Sequence, residues 1–154
     1  MDIDYDLRAA RDCDAEAISQ VIVSALRETN AKDYPREVIE RLAQIFSPAA
    51  VLGMIGKRKV FVATWGQRIV GTASLDGRVV HAVFVAPDVQ RSGVGRLLMA
   101  EVERTARSAG MATLLVQSSV TAVPFYARLG FNVLRDHYYG EEHTIIMEQP
   151  LTAI

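Results

Sequence analysis

The chain has a single cysteine, Cys13, among 154 residues, so it can form no internal disulfide and no cysteine-based metal cluster. It has no excess of either charge. Seventeen Lys and Arg against eighteen Asp and Glu leave a formal charge of -1, which argues against a strong overall attraction to nucleic acid or an anionic membrane. No run of about 18 apolar residues occurs, and the opening MDIDYDLRAARDCD is acidic, without the apolar stretch of a secretory leader. The expectation is a soluble, cytoplasmic protein with no nucleic-acid or membrane partner. Internal repeats and low-complexity tracts are missing too, which excludes solenoids and fibrous chains. What is there is ordinary globular composition: half the residues are apolar and 23% are charged. At this length that predicts one domain, residues 1–154, with a sizeable core.

Hydrophobic spacing predicts the elements. Ile3 to Ala9 alternates like a half-buried strand, and Ile18, Val21, Ile22, Ala25 and Leu26 form a helical stripe that should end near Asn30. Pro35 suits the first turn of a second helix, which Ser47 and Pro48 should interrupt. Lys59–Trp65, Ile69–Leu75 and Arg78–Ala86 read as an antiparallel meander, with Phe61 and Trp65 in its core. A helix from Gly93 to Gly110, a short apolar strand at Ala112–Val116, a helix over Thr121–Leu129 and two closing strands complete the chain. The fold class is α/β, with a mixed central sheet, flanking helices and the order β α α β β β α β α β β. Three consecutive strands before the third helix do not suit a Rossmann fold.

The stretch HAVFVAPDVQRSGVGRLLM, residues 81–99, runs from a strand through a tight loop into an amphipathic helix. Free amides at a helix start carry partial positive charge, and glycines at 93 and 95 would leave room for a phosphate group. Arg91 and Arg96 could add full charges. Neither a GxGxxG dinucleotide fingerprint nor a Walker lysine is present.

This segment resembles the central signature of the GNAT superfamily of N-acetyltransferases: Gln90, Gly93 and Gly95 fall at its Gln/Arg, Gly and Gly/Ala positions, after Val85-Ala86-Pro87. A second segment, Ser118 to Phe131, resembles the family's closing motif with Ala122 and Phe125-Tyr126-x-x-Leu129-Gly130-Phe131; Ser119 stands where Asn is frequent. The resemblance implies a GNAT fold and acetyl-CoA as co-substrate. It places the pyrophosphate on the amides of Ser92, Gly93, Val94, Gly95 and Arg96, the pantetheine arm along Val83, Phe84 and Val85, and further cofactor contacts at Gln90, Arg91, Ser119 and Phe125. The implied reaction is direct attack by a primary amine of a small molecule. Alternatives are a protein or peptide N-acetyltransferase, or an acyl-CoA-binding module without catalysis. Many relatives in this family pair as dimers, and edge strands near the C-terminus would permit a homodimer here.

Amine acetylation needs a neutral nucleophile, a polarised carbonyl and a proton for the departing thiolate. The resemblance assigns Tyr126, a phenol of ordinary pKa ~10, as general acid. His81, placed by alternation on the face of Val83 and Val85, is the candidate base; its other reading is a partly exposed strand histidine. The resemblance implies that acceptor recognition falls to the first two helices, with Glu28, Asn30, Asp33 and Tyr34, and to the loop between the last strands, with Tyr138, Tyr139, Glu141 and Glu142; the other reading of the carboxylates is solvated surface. His137 and His143 lack companions at metal-ligand spacing, so no metal is expected.

Overall fold

The computed structural model describes residues 4–151; the Ile3 end of the expected first strand lies outside them. Seven strands form one sheet in the order β1-β2-β3-β4-β5-β7-β6. Strands β1 (Asp6–Ala9), β2 (Lys59–Trp65), β3 (Arg68–Asp76) and β4 (Val79–Val85) form one antiparallel block. Strands β5 (Thr113–Ser119), β7 (Glu142–Pro150) and β6 (Asn132–Tyr139) form another. The blocks meet where β4 runs parallel to β5.

Two apolar clusters cover the two faces. On one, α1 (Ala15–Glu28), α2 (Arg36–Ile45) and α3 (Pro48–Lys57) bury Ile18, Ile22, Leu26, Ile39 and Val51 against Val60 and Val62. On the other, α4 (Val94–Ser108) and α5 (Val123–Arg128) bury Leu98, Met99, Val102 and Tyr126 with Leu114 and Met147. Each fully buried Leu, Ile or Met side chain contributes roughly 1.5–3 kcal/mol of transfer free energy. The start of α1 is tied to β1 by Asp14. Its carboxylate accepts two hydrogen bonds from the Arg8 guanidinium, at 2.7 and 3.1 Å, and one from the Arg11 amide at 2.8 Å. These bonds, Arg8 first, hold the Asp14 carboxyl below its usual range.

The expected strands and helices are present, with ends shifted by a few residues, and the structure adds α3. Ser47-Pro48 does end the second helix, but the same pair starts another: the Ser47 hydroxyl accepts the Ala50 amide at 3.3 Å and Pro48 occupies the first helical position. The observed order is therefore β α α α β β β α β α β β. Trp65 is not core; it ends β2 beside the Gly66-Gln67 turn, 50% exposed. Strand β6 is an edge whose residues are all exposed, and its pairing with β7 shifts register between Val133 and Arg135. No single helix among the described residues is long and apolar enough to cross a membrane.

Candidate functional site

The site is built where two parallel strands part. Only Val79 with Leu115 and Val80 with Val116 pair across β4 and β5; beyond them β4 and β5 separate. Next to this fork β4 carries a bulge. Ser74 of β3 opposes His81 and Thr72 opposes Phe84, so Ala82 and Val83 together face the single residue Ala73, and Ala82 takes φ +52°.

The bulge changes which side chains share a face. Directly opposed residues of an antiparallel pair point the same way. Val80 and Val85 oppose Leu75 and Gly71 and lie toward α4, whereas His81 and Phe84 oppose Ser74 and Thr72 and lie toward α1 and α2. His81 is therefore not on the face of Val83 and Val85, as strict alternation would have it. No glycine or proline marks this bulge in the sequence, and a period-2 reading passes straight through it.

A cleft of about 720 Å³ runs through the gap. Tyr126 and His81 both line it, with Val83, Phe84, Val85, Gln90, Arg91, Gly93, Val94, Gly95, Arg96, Ser119 and Phe125. Ser92 does not; its hydroxyl turns back to donate to the Val89 carbonyl. Of the expected acceptor residues, Asn30, Tyr34 and Glu142 line the cleft, while Glu28, Asp33, Tyr138, Tyr139 and Glu141 do not. Thr29, Phe46, Gln117, Arg128 and Thr144 line it without having been singled out. Their placement follows from helix packing and from the register of β7 on β5, for which short motifs carry no signal.

The loop into α4 exposes its donors. Gly93 adopts φ +92°, and the first hydrogen bond of the helix runs from the Leu97 amide to the Gly93 carbonyl at 3.0 Å. The amides of Val94, Gly95 and Arg96 therefore have no carbonyl within the helix. Gly95 has a second reason to lack a side chain: a Cβ there would stand 3.1 Å from two ring atoms of Phe125. Phe125 packs edge-on to Tyr126, with centroids 5.2 Å apart, and Tyr126 packs in the same manner on Phe131 at 5.4 Å. Gln90 is spent on structure, donating to the Thr29 hydroxyl at 2.9 Å and the Val85 carbonyl at 3.2 Å. Ser119 likewise uses its hydroxyl to accept the Ala122 amide at 3.1 Å, ahead of α5.

Electrostatics separate the two titratable candidates. Burial raises the Tyr126 phenol well above its ordinary value, so it keeps its proton, and its hydroxyl has no hydrogen-bond partner among the described residues. His81 is held below the usual histidine range, chiefly by burial and then by Arg58, with Asp76 opposing; at neutral pH it is uncharged. Among the described residues no group of three or more His, Cys, Asp or Glu is arranged to hold a metal ion.

The α2 side of the cleft is pinned over the strands. The Tyr34 hydroxyl donates to the His143 carbonyl at 2.6 Å and accepts the Val120 amide at 2.8 Å. Thr121 donates to Asp33 at 2.6 Å, and Arg41 pairs with Glu142 at 2.7 Å. His143 itself stacks on Tyr138 and reaches Asp136 at 2.8 Å, away from the cleft.

Comparison with known proteins agrees with this architecture. The chain is 36% identical over 87 residues to the [ribosomal protein bS18]-alanine N-acetyltransferase of Escherichia coli K12, a match covering 51% of this chain and 59% of that relative's length. A GCN5-related N-acetyltransferase structure from Rhodopseudomonas palustris superposes with a TM-score of 0.92 at 25% identity, covering 98% of this chain and 99% of that one. The yncA acetyltransferase of Salmonella typhimurium, solved with its cofactor acetyl-CoA, shares the fold at a TM-score of 0.66 and 22% identity, over 96% of this chain and 94% of that one. The family model for the acetyltransferase (GNAT) domain matches residues 30–146, and with the forked β4 and β5 and the glycine loop into α4, the chain belongs to the GNAT family.

Proposed function

We propose that the protein is an N-acetyltransferase that moves the acetyl group of acetyl-CoA to a primary amine of a small molecule by direct attack, without an acyl-enzyme. The observation that carries this reading is the gap between β4 and β5, which joins a face holding Tyr126 to a face holding His81. The unpaired edge of β4 at Val83–Val85 offers backbone groups to an extended ligand arm, and the Val94–Arg96 amides with Arg91 and Arg96 offer positive charge to its pyrophosphate.

Each chemical step has a group in the cleft. His81, uncharged, accepts a proton from the amine as nitrogen bonds to the thioester carbon. A backbone amide near Val83 or Phe84 supports the charge on the carbonyl oxygen. Tyr126 gives its proton to sulfur as the carbon–sulfur bond breaks, so the products are the acetamide and free CoA thiol. A phenol whose pKa is raised by burial would be a poor acid toward a hydrated thiolate. In the same dry cleft the thiolate is desolvated too, which raises its own affinity for a proton. A partnerless hydroxyl at this point suits an acid better than it suits a module that only binds acyl-CoA.

The pinned Tyr34 side of the cleft favours a compact acceptor over an extended chain. The specific observation on the other side is the likeness to an enzyme named for a ribosomal protein alanine. Thiol release with acetyl-CoA, measured for a panel of small primary amines and for peptides with free N-termini or lysines, decides between them. Preference for a peptide over every small amine would overturn the small-molecule reading.

A further inference from the structure

The cleft is electrically lopsided. The formally charged side chains lining it are Arg91, Arg96 and Arg128, from the loop, α4 and α5, and one carboxylate, Glu142, at the start of β7. Register places Glu142 beyond the end of β5: Ser119, the last residue of that strand, pairs with Thr144. The carboxylate is held in place. Arg41 donates to Oε1 at 2.7 Å and stands over the Tyr139 ring, 5.0 Å from its centroid. The other oxygen, Oε2, has no hydrogen-bond partner among the described residues, and the Glu142 side chain is the more buried partner of the pair, 17% exposed against 38% for Arg41. A second unspent polar group lines the same cleft: Asn30 is only 9% exposed, and its carboxamide has no partner among the described residues. Phe46 and Phe84, edge-on to each other at 5.7 Å, add apolar surface to the lining of the same cleft.

A carboxylate is a poor neighbour for the attacking nitrogen, because it stabilises the protonated amine, which cannot attack. Its chemistry suits a different nitrogen that stays charged. We infer that the acceptor is an aliphatic amine with a second, protonated nitrogen, a diamine-type substrate whose distal ammonium is bound by Glu142, with Asn30 as a further hydrogen-bond acceptor. This rests on the small-molecule amine reading above and narrows it. The distal charge also helps the reaction: like-charge repulsion lowers the pKa of the reacting nitrogen and enlarges its neutral fraction. An apolar spacer between the two nitrogens matches the Phe46 and Phe84 walls.

The test compares putrescine with n-butylamine, which has the same carbon chain and one nitrogen, at saturating acetyl-CoA. A charge-assisted hydrogen bond predicts a KM for putrescine about tenfold or more below that for n-butylamine in the unmodified protein. Glu142→Gln should bring the ratio of the two KM values toward one by raising the putrescine KM, and Glu142→Asp should restore part of the preference. The comparison in the unmodified protein stands even if a variant folds poorly. Equal KM values for the two amines, or a Glu142→Gln change that shifts both alike, overturn the inference while leaving the small-amine reading intact. Acetylation of peptides with neither amine accepted overturns both.

Discussion

Tyr34→Phe removes one oxygen and leaves the ring, which is 8% exposed, to pack as before. That oxygen joins three parts of the chain: the turn between α1 and α2, the His143 carbonyl of β7 and the Val120 amide between β5 and α5. Each net hydrogen bond is worth about 0.5–1.5 kcal/mol, so losing both predicts about 1–3 kcal/mol of destabilisation. For a domain of this size that is roughly 2–4 °C of Tm per kcal/mol, a drop of about 2–12 °C in a thermal melt. Burial raises the Tyr34 pKa, so the folded protein keeps the phenol protonated where the unfolded chain would ionise. The associated stability is full below the unfolded value of about 10 and is lost as pH rises through the folded pKa. The Tm gap between parent and variant should therefore hold at neutral pH and change above about pH 10. Function should follow, with a raised acceptor KM and an unchanged acetyl-CoA Kd, because in the proposed reading the pinned side faces the acceptor. A Tm within about 1 °C of the parent at pH 7 would mean the clamp contributes no net stability, and the argument for a closed acceptor end would fail with it.

Tyr126→Phe should slow kcat by about 10²–10⁴, the usual range for a general acid, while calorimetry finds the acetyl-CoA Kd unchanged; parent-like turnover at every pH would remove the acid role. His81 is held below the ordinary histidine value near 6.5, so the acid limb of kcat/KM should lie below that pH, and His81→Gln should flatten it. A limb that survives His81→Gln belongs to another base. Asp14→Ala leaves the Arg8 guanidinium and the Arg11 amide without their acceptor and should cost about 1–3 kcal/mol in urea unfolding. Because the folded Asp14 pKa is depressed, the stability it adds is present above about pH 4 and is lost as pH falls through the folded value; a parent-like acid-unfolding curve for the variant would contradict this.

Much of this was legible in short stretches of sequence. A glycine before a helix, alternation along a strand and apolar residues three and four apart are local rules, set by backbone sterics and by the period of each element. They located the strand, loop and helix from His81 to Met99 and all seven strands, while the resemblance to the family marked the closing motif around Tyr126; Ser47-Pro48 reads only as a stop, although a serine cap followed by proline is also a local signal for a helix start. Tertiary structure decided what local rules do not encode. The bulge at Ala82 turns His81 to the α1 and α2 face, because β3 and β4 pair with unequal numbers of residues. Gly95 is filled by a ring thirty positions away in Phe125, and Arg41 meets Glu142 across |i−j| = 101. Composition and periodicity are sums over neighbours in the chain, whereas a cleft is formed by neighbours in space. The family and its loop could therefore be read from residue order, and the two-faced gap that brings Tyr126, His81 and Glu142 to one cavity existed only once the sheet had formed.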